Sequence, residues 1–138
     1  MQTFLPYADF ESTARVLDRQ RLGKQRVECL QLLTAINVGG GWSNHPAANM
    51  WRGYEQSLID YGVVICDEWI RRGYKDTCRP LIRNFRYSFK LSGPPHWLGD
   101  EAFHRSHRSN LTRKKPEHYS QFWIEPPDLE YVWPEGCS

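Results

Sequence analysis

Residues 45–74, HPAANMWRGYEQSLIDYGVVICDEWIRRGY, decide the fold class. Trp51, Tyr54, Leu58, Tyr61, Ile65 and Trp69 recur at spacings of three and four, which gathers them on one face of a helix. Pro46 suits a first helical turn, and Gly73, after Arg71-Arg72, closes the element. Upstream, Asp9 can cap a helix that begins near Phe10 and runs to Ile36 without proline. Its apolar stripe passes through Val27, Leu30 and Leu33 or Thr34, and Gly39-Gly40-Gly41 ends it. Downstream the reading of 74–92 stays open, because RNFRYSFKL alternates like a strand yet is also compatible with a short helix. Gly93-Pro94-Pro95 then breaks the chain, a third helix is expected from about Asp100 to Lys114, and Pro116 starts a short terminal one through Phe122. The expectation is a mostly α fold: a single compact domain of three to four helices over residues 1–123. An irregular, acidic tail over 124–138 packs on it or trails from it.

A chain of 138 residues is long enough to bury one core. Its apolar runs are only a few residues long, and the start MQTFLPYADFE lacks a basic stretch followed by an apolar one. Neither a membrane span nor a signal peptide is expected, so the reading is a soluble, cytoplasmic protein. Cys29, Cys66, Cys78 and Cys137 are scattered without a CxxC pair, which argues against a zinc ribbon or a disulfide framework.

The net charge of +2 conceals a split. Residues 1–123 hold all 18 Lys and Arg against 12 acids, a net of +6, while residues 124–138 hold four acids and no base. Basic residues concentrate over Arg15–Arg26, Arg71–Lys90 and Arg105–Lys115. Such segments are either solvated helix faces or parts of a phosphate-binding surface. Aromatic residues make up 14% of the chain and several stand among cations, so individual rings are either core or stacking platforms for bases.

Three blocks carry a family resemblance: LDRQRLGKQRVECLQLL (17–33), the 45–74 run, and SHRSNLTRKKPEHYSQFW (106–123). In the same order and with similar spacing they resemble the phage pyrimidine-dimer glycosylases, small DNA repair enzymes also called pyrimidine-dimer endonuclease V. The resemblance implies a compact helical fold that kinks damaged double-stranded DNA and extrudes a base, in a bacterial or phage-infected cell. It implies an N-terminal amine as nucleophile and an assisting glutamate on the first long helix, which falls on Glu28. It puts phosphate-contacting cations among Arg19, Arg21, Lys24 and Arg26, and a histidine near the site at His45. The third block corresponds to the family's basic segment followed by proline and an aromatic cluster, here Lys115-Pro116, Tyr119, Phe122 and Trp123.

An amine that attacks C1′ of a nucleotide displaces the base and leaves an imine, which permits β-elimination of the 3′ phosphate. A carboxylate stabilises the cationic sugar and moves protons. No cofactor or metal is required, and no phosphate-binding glycine loop is present. A terminal amine suits the task because its pKa is about 7.7–8.0, against about 10.4 for lysine. The chain departs from the family here: it reads Met1-Gln2-Thr3, where the family exposes a threonine by removing the initiator methionine. A bulky Gln2 disfavours that trimming. Met1 therefore supplies the amine, or a lysine replaces it, or the lyase step is lost. Lys24 lies one turn before Glu28, as either a Schiff-base candidate or a simple ion-pair partner.

His104 and His107 are spaced as two zinc ligands would be, but no third ligand has clear spacing, so no metal is expected. Phosphate contact is the expectation for Arg105, His107, Arg108, Arg113, Lys114 and Lys115, with Ser106, Ser109 and Asn110 as hydrogen-bond partners. Tyr119, Phe122 and Trp123 are open between core and base stacking, while Trp51 and Tyr54 are expected in the core. Three functions compete: a DNA glycosylase with or without AP lyase activity, an enzyme that modifies a DNA pyrimidine on the same fold, and a non-catalytic DNA-binding module. In each the partner is double-stranded DNA, with no obligate protein partner and a monomeric state expected.

Overall fold

The computed structural model describes residues 2–41, 43–87 and 93–137. These hold seven helices and no strand, and 55% of what is described is helical. The helices are α1 (Phe10–Val16), α2 (Arg19–Asn37), α3 (Pro46–Trp51), α4 (Glu55–Arg71), α5 (Arg79–Arg83), α6 (Glu101–Lys114) and α7 (Pro116–Tyr119). The mostly α, single-domain expectation holds, but each of the two long helices read from the sequence is two helices.

The first break falls at Leu17-Asp18, where ψ turns to 134° and 158°. Its partners come from far along the chain. Arg72, the C-cap of α4, donates to the carbonyls of Ala14, Arg15 and Leu17, satisfying the end of α1. Asp18 donates its own N–H to the Tyr119 hydroxyl at 3.0 Å and takes Arg21 and the Tyr119 O–H on its carboxylate. The second break is local: Gly53 has φ 88° and gives its N–H to the Glu55 side chain, so α3 cannot run on into α4.

Helices α2 and α4 form the centre of the fold, with Leu22, Cys29, Leu32 and Leu33 of one buried with Leu58, Tyr61, Ile65 and Cys66 of the other. Trp51 closes one end of this core, edge-on to Trp97 with centroids 4.9 Å apart. The ambiguous 74–92 stretch contains α5, begun where the Asp76 carboxylate accepts from the N–H groups of Cys78 and Arg79. Residues 88–91 of the RNFRYSFKL run lie outside the described residues. The terminal helix α7 stops at Tyr119, short of the expected Phe122.

Residues 124–137 form no helix and lie along α6. Arg108 pairs with Glu125, Ser109 donates to the Pro126 carbonyl, and Asn110 donates to that of Leu129. Arg113 reaches the Pro127 carbonyl, and the Val132 N–H donates to Ser106 Oγ. The tail therefore covers a second face of α6, so that a helix of polar sequence is buried at 103, 104 and from 106 to 111. Cys29, Cys66, Cys78 and Cys137 are all free thiols. No helix among the described residues is long and apolar enough to cross a membrane.

Candidate active site

Before the first helix the chain runs extended, and side chains from four helices hold it residue by residue. Gln25 of α2 donates from Nε2 to the Gln2 carbonyl at 2.8 Å. Trp51 Nε1 of α3 donates to Thr3 Oγ1 at 2.9 Å. The Phe4 N–H donates to Gln25 Oε1 at 3.0 Å, while the Tyr61 hydroxyl of α4 lies between the Phe4 carbonyl and that same Oε1, 2.8 and 2.6 Å away. The Leu5 N–H donates to His107 Nδ1 at 3.0 Å and the Leu5 carbonyl is met by His104 Nδ1 at 2.8 Å, both from α6. Arg108 donates to the Pro6 carbonyl at 2.8 Å. An extended segment without a sheet partner must have its backbone groups satisfied somewhere, and here side chains do it.

This clamp delivers Gln2 to a pocket of about 440 Å³. Arg21, Lys24 and Glu28 of α2 line it together with His45, Lys114, and Tyr131 and Trp133 of the tail. Glu28 Oε2 accepts from Gln25 Nε2 at 2.8 Å, so one amide group bridges Gln2 and the carboxylate. Burial raises the pKa of the Glu28 carboxyl above its ordinary 4.5, opposed by the charge of the amino terminus, then that of Lys24 and the hydrogen bonds from Gln2 and Gln25. Lys24 and Glu28 share the pocket without forming an ion pair. Burial lowers the pKa of Lys114, and the charges of Arg21, Arg113 and Lys24 lower it further. The mouth is thus a concentration of cations, which favours an anionic ligand. His45 caps α3, accepting the Ala47 N–H on Nδ1, and stands edge-on to Trp133 with centroids 6.3 Å apart. Burial lowers its pKa, which favours the neutral ring.

Of the expected site residues, the structure brings Glu28, Lys24, Arg21, His45 and Lys114 to this pocket. Met1 lies outside the described residues. Arg19 is exposed on α2, over the Tyr74 ring. Arg105 is exposed, as is Arg113, which is tied to Asn110 and the tail, and Lys115 is half-buried.

Other residues point elsewhere. Arg26 turns to Asp76, 2.6 Å away, and lies over the Trp69 ring. His107, Arg108 and Asn110, expected on a phosphate-binding face, are buried. Positions 103, 104, 107, 108 and 111 form the inner stripe of α6, and the tail covers 106, 109 and 110. His107 and Arg108 serve the clamp on Leu5 and Pro6 instead. Tyr119 and Trp123 are core rather than platforms for bases: the rings stack at 5.3 Å, and Trp123 Nε1 donates to Thr112 Oγ1 at 2.7 Å. Nothing among the described residues groups three or more His, Cys, Asp or Glu as metal ligands. His104 is occupied at both ring nitrogens, by Leu5 and Gly99.

Sequence reasoning missed Gln25, Tyr131 and Trp133. For Gln25 the only signal was its position three residues before Glu28, on the same helix face. For the tail aromatics there was none, since their place depends on how the tail returns along α6.

Comparisons with curated proteins and with solved structures gave no match. Residues 1–80 match the family described as pyrimidine dimer DNA glycosylase. That stretch contains Gln2, Lys24, Gln25, Glu28 and His45, and it covers more than half of the chain. On that match, joined to an all-helical fold that holds the beginning of the described chain against a glutamate in a cation-rimmed pocket, the protein belongs to the pyrimidine dimer DNA glycosylase family.

Proposed function

We propose that the chain excises a damaged or modified pyrimidine from double-stranded DNA, taking the extruded nucleotide into the Glu28 pocket. The observation that carries this reading is the clamp on residues 2–6, which ends at a partly desolvated carboxylate. In a protein that only bound DNA, no step would need a terminal segment fixed beside a carboxylate. In the proposed step an amine nitrogen bonds to C1′ of the sugar, the C1′–base bond breaks, and the amine gives up its proton. The base leaves with the bonding pair and is protonated. Glu28, ionised, stabilises the positive charge on the sugar and then moves the proton that ring opening to the imine requires. The amine is that of Met1, two residues before Thr3, or that of Lys24. AP lyase activity follows if the imine persists long enough for β-elimination.

Phosphate contacts are proposed for Arg19, Arg21, Lys24, Arg105, Arg113, Lys114 and Lys115, and these predict a steep fall of affinity with salt. The test is borohydride trapping on duplexes that carry an abasic site or a pyrimidine dimer, followed by peptide mapping. A crosslink at the amino terminus or at Lys24 is expected, and it names the nucleophile. Glu28→Gln should abolish base release while leaving DNA affinity nearly unchanged. Full turnover by that variant would remove Glu28 from the mechanism. If duplex is bound but no adduct forms and no base is freed, a pyrimidine-modifying reaction or a non-catalytic binder takes the place of this reading. Mass spectrometry of the recovered nucleosides separates those two.

A further inference from the structure

Resting on the glycosylase reading, we propose that Gln25 is a positioning residue, whose single NH2 group holds Gln2 and the Glu28 carboxylate in fixed relation to each other. Gln25 is fully buried and uses its complete hydrogen-bonding capacity. Oε1 takes the Phe4 N–H and the Tyr61 hydroxyl; Nε2 gives one hydrogen to the Gln2 carbonyl and the other to Glu28 Oε2. An amide has two acceptor sites and two donor hydrogens, so none is left over. Flipping the group would set NH2 against the Phe4 N–H, so its orientation is determined by its partners.

The backbone of residues 2–4 already calls for a polar side chain here, since an apolar one of the same shape would leave the Phe4 N–H and the Gln2 carbonyl without this partner. What glutamine adds is a neutral donor that grips both a main-chain carbonyl and a carboxylate, whether or not that carboxylate is ionised. The other charged or titratable groups that act on Glu28 are the amino terminus, Lys24 and Arg21 of α2, His45 before α3, Tyr61 of α4, Lys114 of α6 and Tyr131 of the tail. All of these groups are still present when Gln25 alone is changed.

The experiment pairs base release from damaged duplex with a carbon-13 titration of the Glu28 carboxyl in the full chain. Gln25→Met keeps the length and removes the donor. It should move the Glu28 midpoint upward and cut kcat more than tenfold, with KM within twofold. Gln25→Glu keeps the acceptor for Phe4 and Tyr61 and regains one donor hydrogen only when protonated. Its activity per folded molecule, relative to the unaltered protein, should therefore recover as the pH falls, whereas a purely structural role would change only the fraction folded. Should Gln25→Met fail to fold, Tyr61→Phe loosens the amide from its other end and should move the midpoint the same way by less. An unmoved Glu28 midpoint in the folded variant, or a loss of kcat that only tracks the loss of folded protein, overturns the proposal. If the unaltered protein frees no base while the midpoint still moves, the glycosylase reading falls and the proposed catalytic role with it. An unmoved midpoint in an active enzyme defeats the positioning role alone.

Discussion

Leu5 has its amide and its carbonyl taken by two histidines one turn apart on α6. That arrangement fixes their protonation. His107 accepts on Nδ1, so its proton sits on Nε2, which is buried with no partner among the described residues. Burial, reinforced by the neighbouring His104, pushes the His107 pKa down from 6.5 to about 3. Above pH 6.5 both folded and unfolded chains carry it neutral. Between 6.5 and about 3 the unfolded chain takes up a proton that the folded one refuses, so stability falls as the pH drops through that window. From pH 7 to pH 5 the expected loss from His107 is about 2 kcal/mol, with His104 adding to it because burial lowers its pKa as well. Urea unfolding at the two pH values measures this. His107→Asn retains an acceptor for the Leu5 N–H and cannot titrate, so it should flatten the dependence. An unchanged slope in that variant would assign the acid sensitivity to other groups.

At the scale of helices, the close approach of α2 and α4 turns on Gly62. A methyl group there would fall on Cys29 Sγ, with Ile82 Cγ2 3.0 Å away. Gly62→Ala gains helix propensity, worth about 1 kcal/mol, but must push two buried side chains aside, at a cost of about 1–3 kcal/mol. Net destabilisation is expected, seen as a lower urea midpoint at an unchanged slope. A more stable variant would mean that the two helices separate freely. Cys29→Ala in the same background should restore part of the loss. The helix periods themselves were legible in the sequence, because an apolar stripe depends only on local spacing, and Gly53 was a visible though unread sign that α3 and α4 are separate. The break after Val16 was not legible, since the groups that satisfy it, Arg72 and Tyr119, lie 55 or more residues away. Glu28, Lys24 and His45 were reached through the family resemblance. Gln25 is one of several polar residues in the sequence of α2, and only the fold shows that the first residues cover it. In α6 the error ran the other way. Histidine, arginine, serine and asparagine read as a surface, and burial by a tail with its own polar backbone reversed the reading.

Across the whole molecule, the acidic tail does two things at once. Its backbone carbonyls and Glu125 satisfy the outer face of α6, and its rings Tyr131 and Trp133 line the pocket that holds Glu28. It also cancels charge, since without residues 124–138 the chain carries 18 basic against 12 acidic residues, a net of +6 in place of +2. These roles predict opposite effects on binding and on turnover. A chain ending at Trp123 should bind undamaged duplex more tightly at low salt, because its positive field is no longer offset. It should also release base more slowly, because the pocket has lost a wall and an extruded nucleotide is no longer shielded from water. Truncation also uncovers Arg108, Ser109 and Asn110, so some of that loss will come from a weakened fold. Changing Tyr131 and Trp133 together to alanine avoids the confusion: the backbone bonds of Leu129 and Val132 to Ser109 and Ser106 remain, and the net charge does not change. Thermal melting should fall, because both rings pack against the core, so turnover is compared per folded molecule: low-salt affinity for undamaged duplex should stay put while base release drops about tenfold or more, roughly the effect of losing one well-placed set of contacts. If the double variant turns over normally, the rings are bystanders and the tail acts on DNA through its charge alone. If it binds undamaged duplex more tightly, the tail has been occupying the DNA path, and its removal would be a step in binding.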